Sequence, residues 1–259
     1  MTAPDILALD FDGVVCDGRP EYFESAWRAY ALLWASPGAV APAGLAERFS
    51  ALRPVVEHGW EMPLVIKALL AGVEDTTIAE QWTTLAPQLL DGLAPAAVGA
   101  RLDRVRDEWI AADRAGWLGQ HRFYPGVIDR LRALAGGPTR VVIITTKDGR
   151  FVRELFAQQG LDFPADRIHG KESKQPKADV LRALQTGGER TWFVEDRLKT
   201  LEGIKTYGDL DDVRLFLADW GYNFPAERQA AQRDGRIGLV SLEDFVGDFS
   251  AWPSRRSPS

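Results

Sequence analysis

Residues 6–18, ILALDFDGVVCDG, run an apolar stretch straight into Asp10 and Asp12, with Asp17 close behind. Like charges gathered at the end of a strand repel one another, so they need a compensating partner. A second apolar run, RVVIITT (140–146), ends in Thr145 and Thr146 and is followed by Lys147. A third, TWFVED (191–196), ends in Glu195 and Asp196, and Lys171, Lys174 and Lys177 precede it. Asp10 and Asp12 could serve as a turn or a helix cap, but a second strand end carries the same acidic feature. Carboxylates from two strand ends would converge with a hydroxyl and a lysine at one edge. Oxygen-only ligation with few protein donors suits a hard divalent cation, Mg²⁺ above all.

Such residues converge only if the runs that carry them are strands of one sheet. After FYPG (123–126) the sequence alternates short apolar runs with amphipathic segments: VIDRLRALAGG, RVVIITT, RFVRELFAQQG, RIHG, KADVLRALQTGG, TWFVED, VRLFLADWG and RIGLV. That alternation predicts a parallel sheet covered on both faces by helices, whose ligands bind at the carboxyl ends of the strands. From about 20 to 115 the pattern is helical instead. EYFESAWRAYALLW places Tyr22, Phe23, Ala26, Trp27, Tyr30 and Trp34 on one face. The fold class expected is therefore α/β, a doubly wound parallel-sheet core with an all-helical insertion after the first strand. The core spans 1–18 and 121–250, the insertion 19–120, and a flexible tail 251–259. The insertion boundaries fall near 18–20 and 118–123.

These residues resemble a known family. LALDFDGVV matches the first motif of the haloacid dehalogenase superfamily, VVIITT the second, PKADVL the third and TWFVED the fourth, in family order. The resemblance implies a Rossmann-like core with a helical cap, and it implies roles. Asp10 would be the nucleophile that forms an aspartyl-phosphate, and Asp12 the general acid and base. Thr145 would bind phosphoryl oxygens, with Thr146 and Lys147 beside it as further substrate contacts. Lys177, which opens a helix, would bridge nucleophile and phosphate, with Lys174 and Lys171 as alternatives. Mg²⁺ would be held by Asp10, the Asp12 carbonyl and Asp196, with Glu195 ligating directly or through an intermediary. The function implied is a Mg²⁺-dependent phosphatase acting on a small phosphate monoester. The alternatives are a phosphomutase and a non-catalytic metabolite-binding protein of the same fold. Many relatives carry a further Asp a few positions after the fourth-motif acid; here Thr200 and its neighbours offer none, and Glu195 with Asp196 must suffice.

Other signals are weaker. The chain has nine tryptophans, and Trp27, Trp34, Trp60, Trp82, Trp109 and Trp117 in the insertion read as helix packing. In LRPVVEHGWEMP (52–63), a bent polar stretch, Arg53 could grip an anion and Trp60 could stack on a ring or sugar. The loop DWGYN (219–223) borders the expected site, as rim or as packing. His58, His121 and His169 lack metal-ligand spacing, and Cys16 reads as a small buried residue. A net charge of -6 offers no basic excess for a nucleic-acid backbone. One cysteine forms no intramolecular disulfide framework, no apolar run is long enough to span a membrane, and no signal peptide is evident, so a cytoplasmic location is expected.

Overall fold

The computed structural model describes residues 3–253. The chain divides into two compact units, one of Met1–Asp17 with Phe123–Ser259 and one of Gly18–Arg122.

The first unit is built on a six-stranded parallel sheet. Its strands are β1 (Ile6–Leu9), β4 (Arg140–Ile144), β5 (Ile168–His169), β6 (Thr191–Glu195), β7 (Arg214–Ala218) and β8 (Ile237–Val240), in the order β5-β4-β1-β6-β7-β8. Two short strands, β2 (Cys16–Asp17) and β3 (Arg122–Phe123), flank the inserted segment. β1 is the central strand: Leu9 is in register with Ile143 on one side and Val194 on the other. All four of its residues are buried, which is why they read as an unbroken apolar run. The chain passes from β1 to β4 and β5 on one side, then returns to β6 at the other edge of β1. That reversal opens the crevice at the carboxyl end of β1, where ligands of such sheets bind.

The two faces of the sheet carry different cores. Ile6, Ala8, Val142, Ile144, Phe193, Leu215 and Leu217 pack with Leu181, Leu201 and Ala231 on one face. Trp192 and Phe216, one residue out of phase along their strands, point to the other. There Trp192, Phe216, Phe245, Phe249 and Trp252 form a continuous aromatic group, with ring centroids 5.0–5.6 Å apart. Trp252 is 2% exposed. The expectation of a flexible tail from 251 therefore fails at Trp252, because burying an indole against four other rings outweighs the cost of ordering a short segment. The rest of that expected tail, 254–259, lies outside the described residues.

In the second unit lie six helices, α1 (Arg19–Trp34), α2 (Leu45–Leu52), α3 (Met62–Leu70), α4 (Asp75–Gln88), α5 (Pro95–Ala112) and α6 (Arg114–Leu118). α1 starts with a proline in its first turn and packs on α3 and α5. Of the expected apolar stripe Tyr22, Ala26 and Trp27 are buried, whereas Phe23, Tyr30 and Trp34 are half-buried; the buried face also holds a charge. Glu21 is fully buried and accepts from Ser25 Oγ (2.6 Å), Arg106 Nε (2.7 Å) and Trp117 Nε1 (3.1 Å). The first unit supplies α7 (Val127–Ala135), α8 (Gly149–Gln158), α9 (Lys177–Leu184), α10 (Leu198–Lys205), α11 (Pro225–Arg233) and α12 (Leu242–Val246). Asp148 caps α8 by accepting from Arg150 N, and Ser241 caps α12 by accepting from Asp244 N.

Candidate active site

Asp10 follows β1 directly, and its amide donates to Val194 O of β6 at 2.9 Å. The chain then folds into a tight turn. Val15 N and Cys16 N both donate to Phe11 O at 2.9 Å, and Gly13 N donates to Cys16 O at 2.8 Å. Gly13 has φ +88°, a left-handed conformation that favours glycine. A Cβ there would stand 2.2 Å from Asp196 Oδ2, so this glycine also lets the β1 and β6 ends approach. Cys16 is buried within the turn.

Oxygens of Asp10, Glu195 and Asp196 lie within 4.8 Å of one another, and all three residues are buried. Lys177, the first residue of α9, reaches into this cluster. Its Nζ is 2.9 Å from Asp10 Oδ1 and 2.6 Å from Glu195 Oε2. Lys171 and Lys174 are exposed in the preceding turn. Of the three candidate lysines, geometry brings Lys177 to the acids.

The electrostatics follow from this crowding. Burial pushes the Asp10 carboxyl up to about 7; Lys177 pulls it down and Glu195 pushes it further up. Burial, together with the charges of Glu195 and Asp10, holds Asp196 well above the ordinary carboxylate range, against a lowering hydrogen bond from Tyr222 N. Burial alone would lower Lys177, but the two carboxylates it touches dominate and raise it above the usual lysine value. An ammonium shared by two buried carboxylates leaves negative charge to spare, and a third carboxylate adjoins it.

That donor set fits a hard divalent cation: three carboxylates, no nitrogen or sulfur, in one buried cluster. Its members are not equivalent. Glu195 Oε2 accepts from Lys177, and Glu195 Oε1 accepts from Asp196 N and Arg197 N, each at 3.2 Å. Glu195 is thus largely occupied, and Asp10 and Asp196 are the carboxylates with capacity to hold a metal.

The remaining expected residues of this unit border the same edge. Asp12 Oδ1 faces Lys147 Nζ at 3.3 Å, within ion-pair range. Thr145 is buried at the end of β4, its amide donating to His169 O at 2.9 Å, and its Oγ1 accepts from Lys147 N at 3.1 Å. Thr146, its neighbour, is exposed.

Arg53 and Trp60 belong to the other unit. Arg53 lies in a 3₁₀ turn, with its guanidinium 5.1 Å from the Tyr22 ring centroid and Nη1 donating to Val56 O at 3.1 Å. Trp60 is half-buried in the next turn, where Glu61 Oε2 accepts from Glu57 N and His58 N. His121 is buried against Trp117, and His169 lies in β5.

Two participants had no clear signature of role in the sequence. Tyr222 supplies a backbone N–H to Asp196 Oδ2 at 2.9 Å, and the Asn223 side chain donates to Asp196 O at 2.9 Å. A main-chain donor leaves no mark in residue type. Asn223 stood within DWGYN, whose position after a strand placed it beside the site without assigning it a partner.

Residues 4–208 match the model of a haloacid dehalogenase-like hydrolase family. Solved structures share the fold. A haloacid dehalogenase-like hydrolase family protein from Streptococcus pneumoniae aligns with TM-score 0.55 and 19% identity, covering 93% of this chain and 95% of that one. A predicted phosphatase from Clostridium acetobutylicum gives 0.57 at 16% identity, with 95% and 97% covered. A predicted phosphoglycolate phosphatase from Haemophilus somnus gives 0.58 at 16% identity, with 95% and 98% covered. No functionally curated protein matches the chain.

Proposed function

Because the chain belongs to the haloacid dehalogenase-like hydrolases, we propose that it is a Mg²⁺-dependent phosphatase acting on a small phosphate monoester. The observation that carries this reading is Lys177 Nζ held 2.9 Å from Asp10 Oδ1 beside Glu195 and Asp196. Two structural neighbours named as phosphatases support the same reaction class.

The chemistry follows from the residues. Asp10 attacks phosphorus, forming an acyl-phosphate bond as the ester P–O bond breaks. Asp12 gives its proton to the departing oxygen. It then takes one from the water that attacks the same phosphorus and frees Asp10 with inorganic phosphate. Lys177 compensates charge as carboxylate and phosphate meet. Thr145 Oγ1 already accepts from Lys147 N, so its own O–H proton is available for a phosphoryl oxygen. Lys147, beside Asp12, and the exposed Thr146 are further phosphate contacts in this reading. Asp10, Asp196 and the Asp12 carbonyl are the groups we assign to Mg²⁺, which when bound supplies the positive charge that two converging anions require. Glu195 orients Lys177. Arg53 and Trp60 are proposed as substrate contacts on residue type alone. A net charge of -6 accords with a small-molecule substrate rather than a nucleic acid, and a cytoplasmic location belongs to the same proposal. No helix among the described residues is long and apolar enough to cross a membrane.

Purified protein should hydrolyse p-nitrophenyl phosphate with Mg²⁺ and stop with EDTA. Mg²⁺-independent turnover, or none on a broad panel of phosphorylated metabolites, would contradict the assignment.

A further inference from the structure

The loop after β7, residues 219–223, closes over the end of β6. Gly221 lies so near that a Cβ would meet Asp196 Cβ at 2.3 Å and Gly13 O at 2.7 Å. Tyr222 N donates to Asp196 Oδ2 at 2.9 Å. Asn223 is 5% exposed, and its amide nitrogen spends both protons: one on Asp196 O at 2.9 Å and one on Ala218 O at 2.8 Å. It thereby ties the end of β6 to the end of β7. Arg228 Nη1 donates to Asn223 Oδ1 at 3.0 Å and to Asn223 O at 2.9 Å. An arginine has only protons to give. The oxygen of the Asn223 amide must therefore face Arg228 and its nitrogen must face the two carbonyls, so the amide has one orientation. Asp196 is held at its carbonyl by the Asn223 side chain and at its carboxylate by the Tyr222 amide. The loop after β7 thus braces Asp196 from a different strand.

We propose that Asn223 is a positioning residue for Asp196, and that the 219–223 loop thereby sets the affinity of the site for Mg²⁺. The inference rests on the phosphatase reading, in which Asp196 holds the metal. Groups that orient metal ligands are worth about 10–100-fold in affinity.

The test is calorimetric titration of Mg²⁺ into the metal-free full chain, with no substrate present. Asn223→Ala should weaken binding at least about tenfold. Arg228→Met, which frees the amide to turn, should weaken it in the same direction, whereas Arg228→Lys, which keeps a donor for Asn223 Oδ1, should restore most of it. Val213→Ala, a core truncation elsewhere in the unit, should lower the melting temperature and leave Mg²⁺ affinity unchanged. If Asn223→Ala does not fold by circular dichroism, the two Arg228 variants decide the question. Wild-type-like affinity in Asn223→Ala or Arg228→Met overturns the proposal, as does equal weakening in Val213→Ala. If wild type itself binds no Mg²⁺, the phosphatase reading fails and the proposal falls with it. Normal wild-type binding with unaffected variants defeats the positioning role alone.

Discussion

Replacing Lys177 by methionine keeps the length and apolar stem of the side chain and removes the charge between Asp10 and Glu195. Its Nζ stands 2.9 Å and 2.6 Å from their oxygens, and Glu195 is 1% exposed. At an effective dielectric of about 20, each contact is worth roughly 6 kcal/mol before desolvation is counted. Losing one partner of a buried ion pair costs about 3–5 kcal/mol net, because the remaining charges stay buried without compensation. The variant has one escape. Asp10 sits at about 7 even with the lysine present, so without it the carboxyl keeps its proton to still higher pH. The unfolded chain releases that proton near pH 4, so raising the pH penalises the folded state. Destabilisation by Lys177→Met should therefore be largest at pH 8 and shrink toward pH 5. Urea unfolding in EDTA at the two pH values measures it. Glu195→Gln in the Lys177→Met background should recover about 0.5–3 kcal/mol relative to additivity. A variant with the wild-type urea midpoint at pH 8, or strictly additive single and double mutants, refutes the assignment of Lys177 as the shared counter-ion.

Three further outcomes follow from the same cluster. Asp196→Asn removes one of three crowded carboxylates, so it should melt higher than wild type in EDTA yet gain less from Mg²⁺, where wild type gains about 2.7 kcal/mol at one hundred times Kd; equal Mg²⁺ shifts in a paired thermal melt contradict this. Metal-free wild type should lose stability as pH rises from about 4 to 7, because the folded Asp10 holds a proton that the unfolded chain releases; a flat or rising urea midpoint across that window contradicts it. Gly13→Ala forces a Cβ to within 2.2 Å of Asp196 Oδ2 at a residue with φ +88°, so Mg²⁺ affinity and stability should fall together, and unchanged values in titration and melt contradict the close approach.

What could be read in advance divides along physical lines. β1 and β6 were legible because a central parallel strand is buried on both faces and so reads as an apolar run, and the acids at its end stand out against it. The family match over 4–208 and the parallel sheet agree with that reading. The choice among Lys171, Lys174 and Lys177 was less visible, since all three precede β6. It turns on where α9 begins: Pro176 precedes the first helical residue, and the start of α9 carries Lys177 to the acids. The division of labour between Glu195 and Asp196 was hidden because it depends on which oxygens the backbone already occupies. The grip of the 219–223 loop on Asp196 was hidden too, since it runs through a main-chain amide, a glycine's missing side chain, and an Asn223 side chain whose partner is a backbone carbonyl of another strand end. Trp252 was misjudged for a related reason: it stands alone in a segment with no apolar periodicity, and its partners Trp192 and Phe216 are distant in sequence.

The central claim is that Asp10 takes the phosphoryl group. Acetyl phosphate has a leaving group that needs no proton, so Asp12→Asn should still be phosphorylated by it but lack the base that frees Asp10. Acid-quenched Asp12→Asn, incubated with acetyl phosphate and Mg²⁺, should carry one added phosphoryl mass on the peptide containing Asp10. The adduct should vanish with EDTA and in the Asp10→Asn, Asp12→Asn double variant. A phosphoryl group on another residue, or an adduct that survives loss of Asp10, would contradict the mechanism.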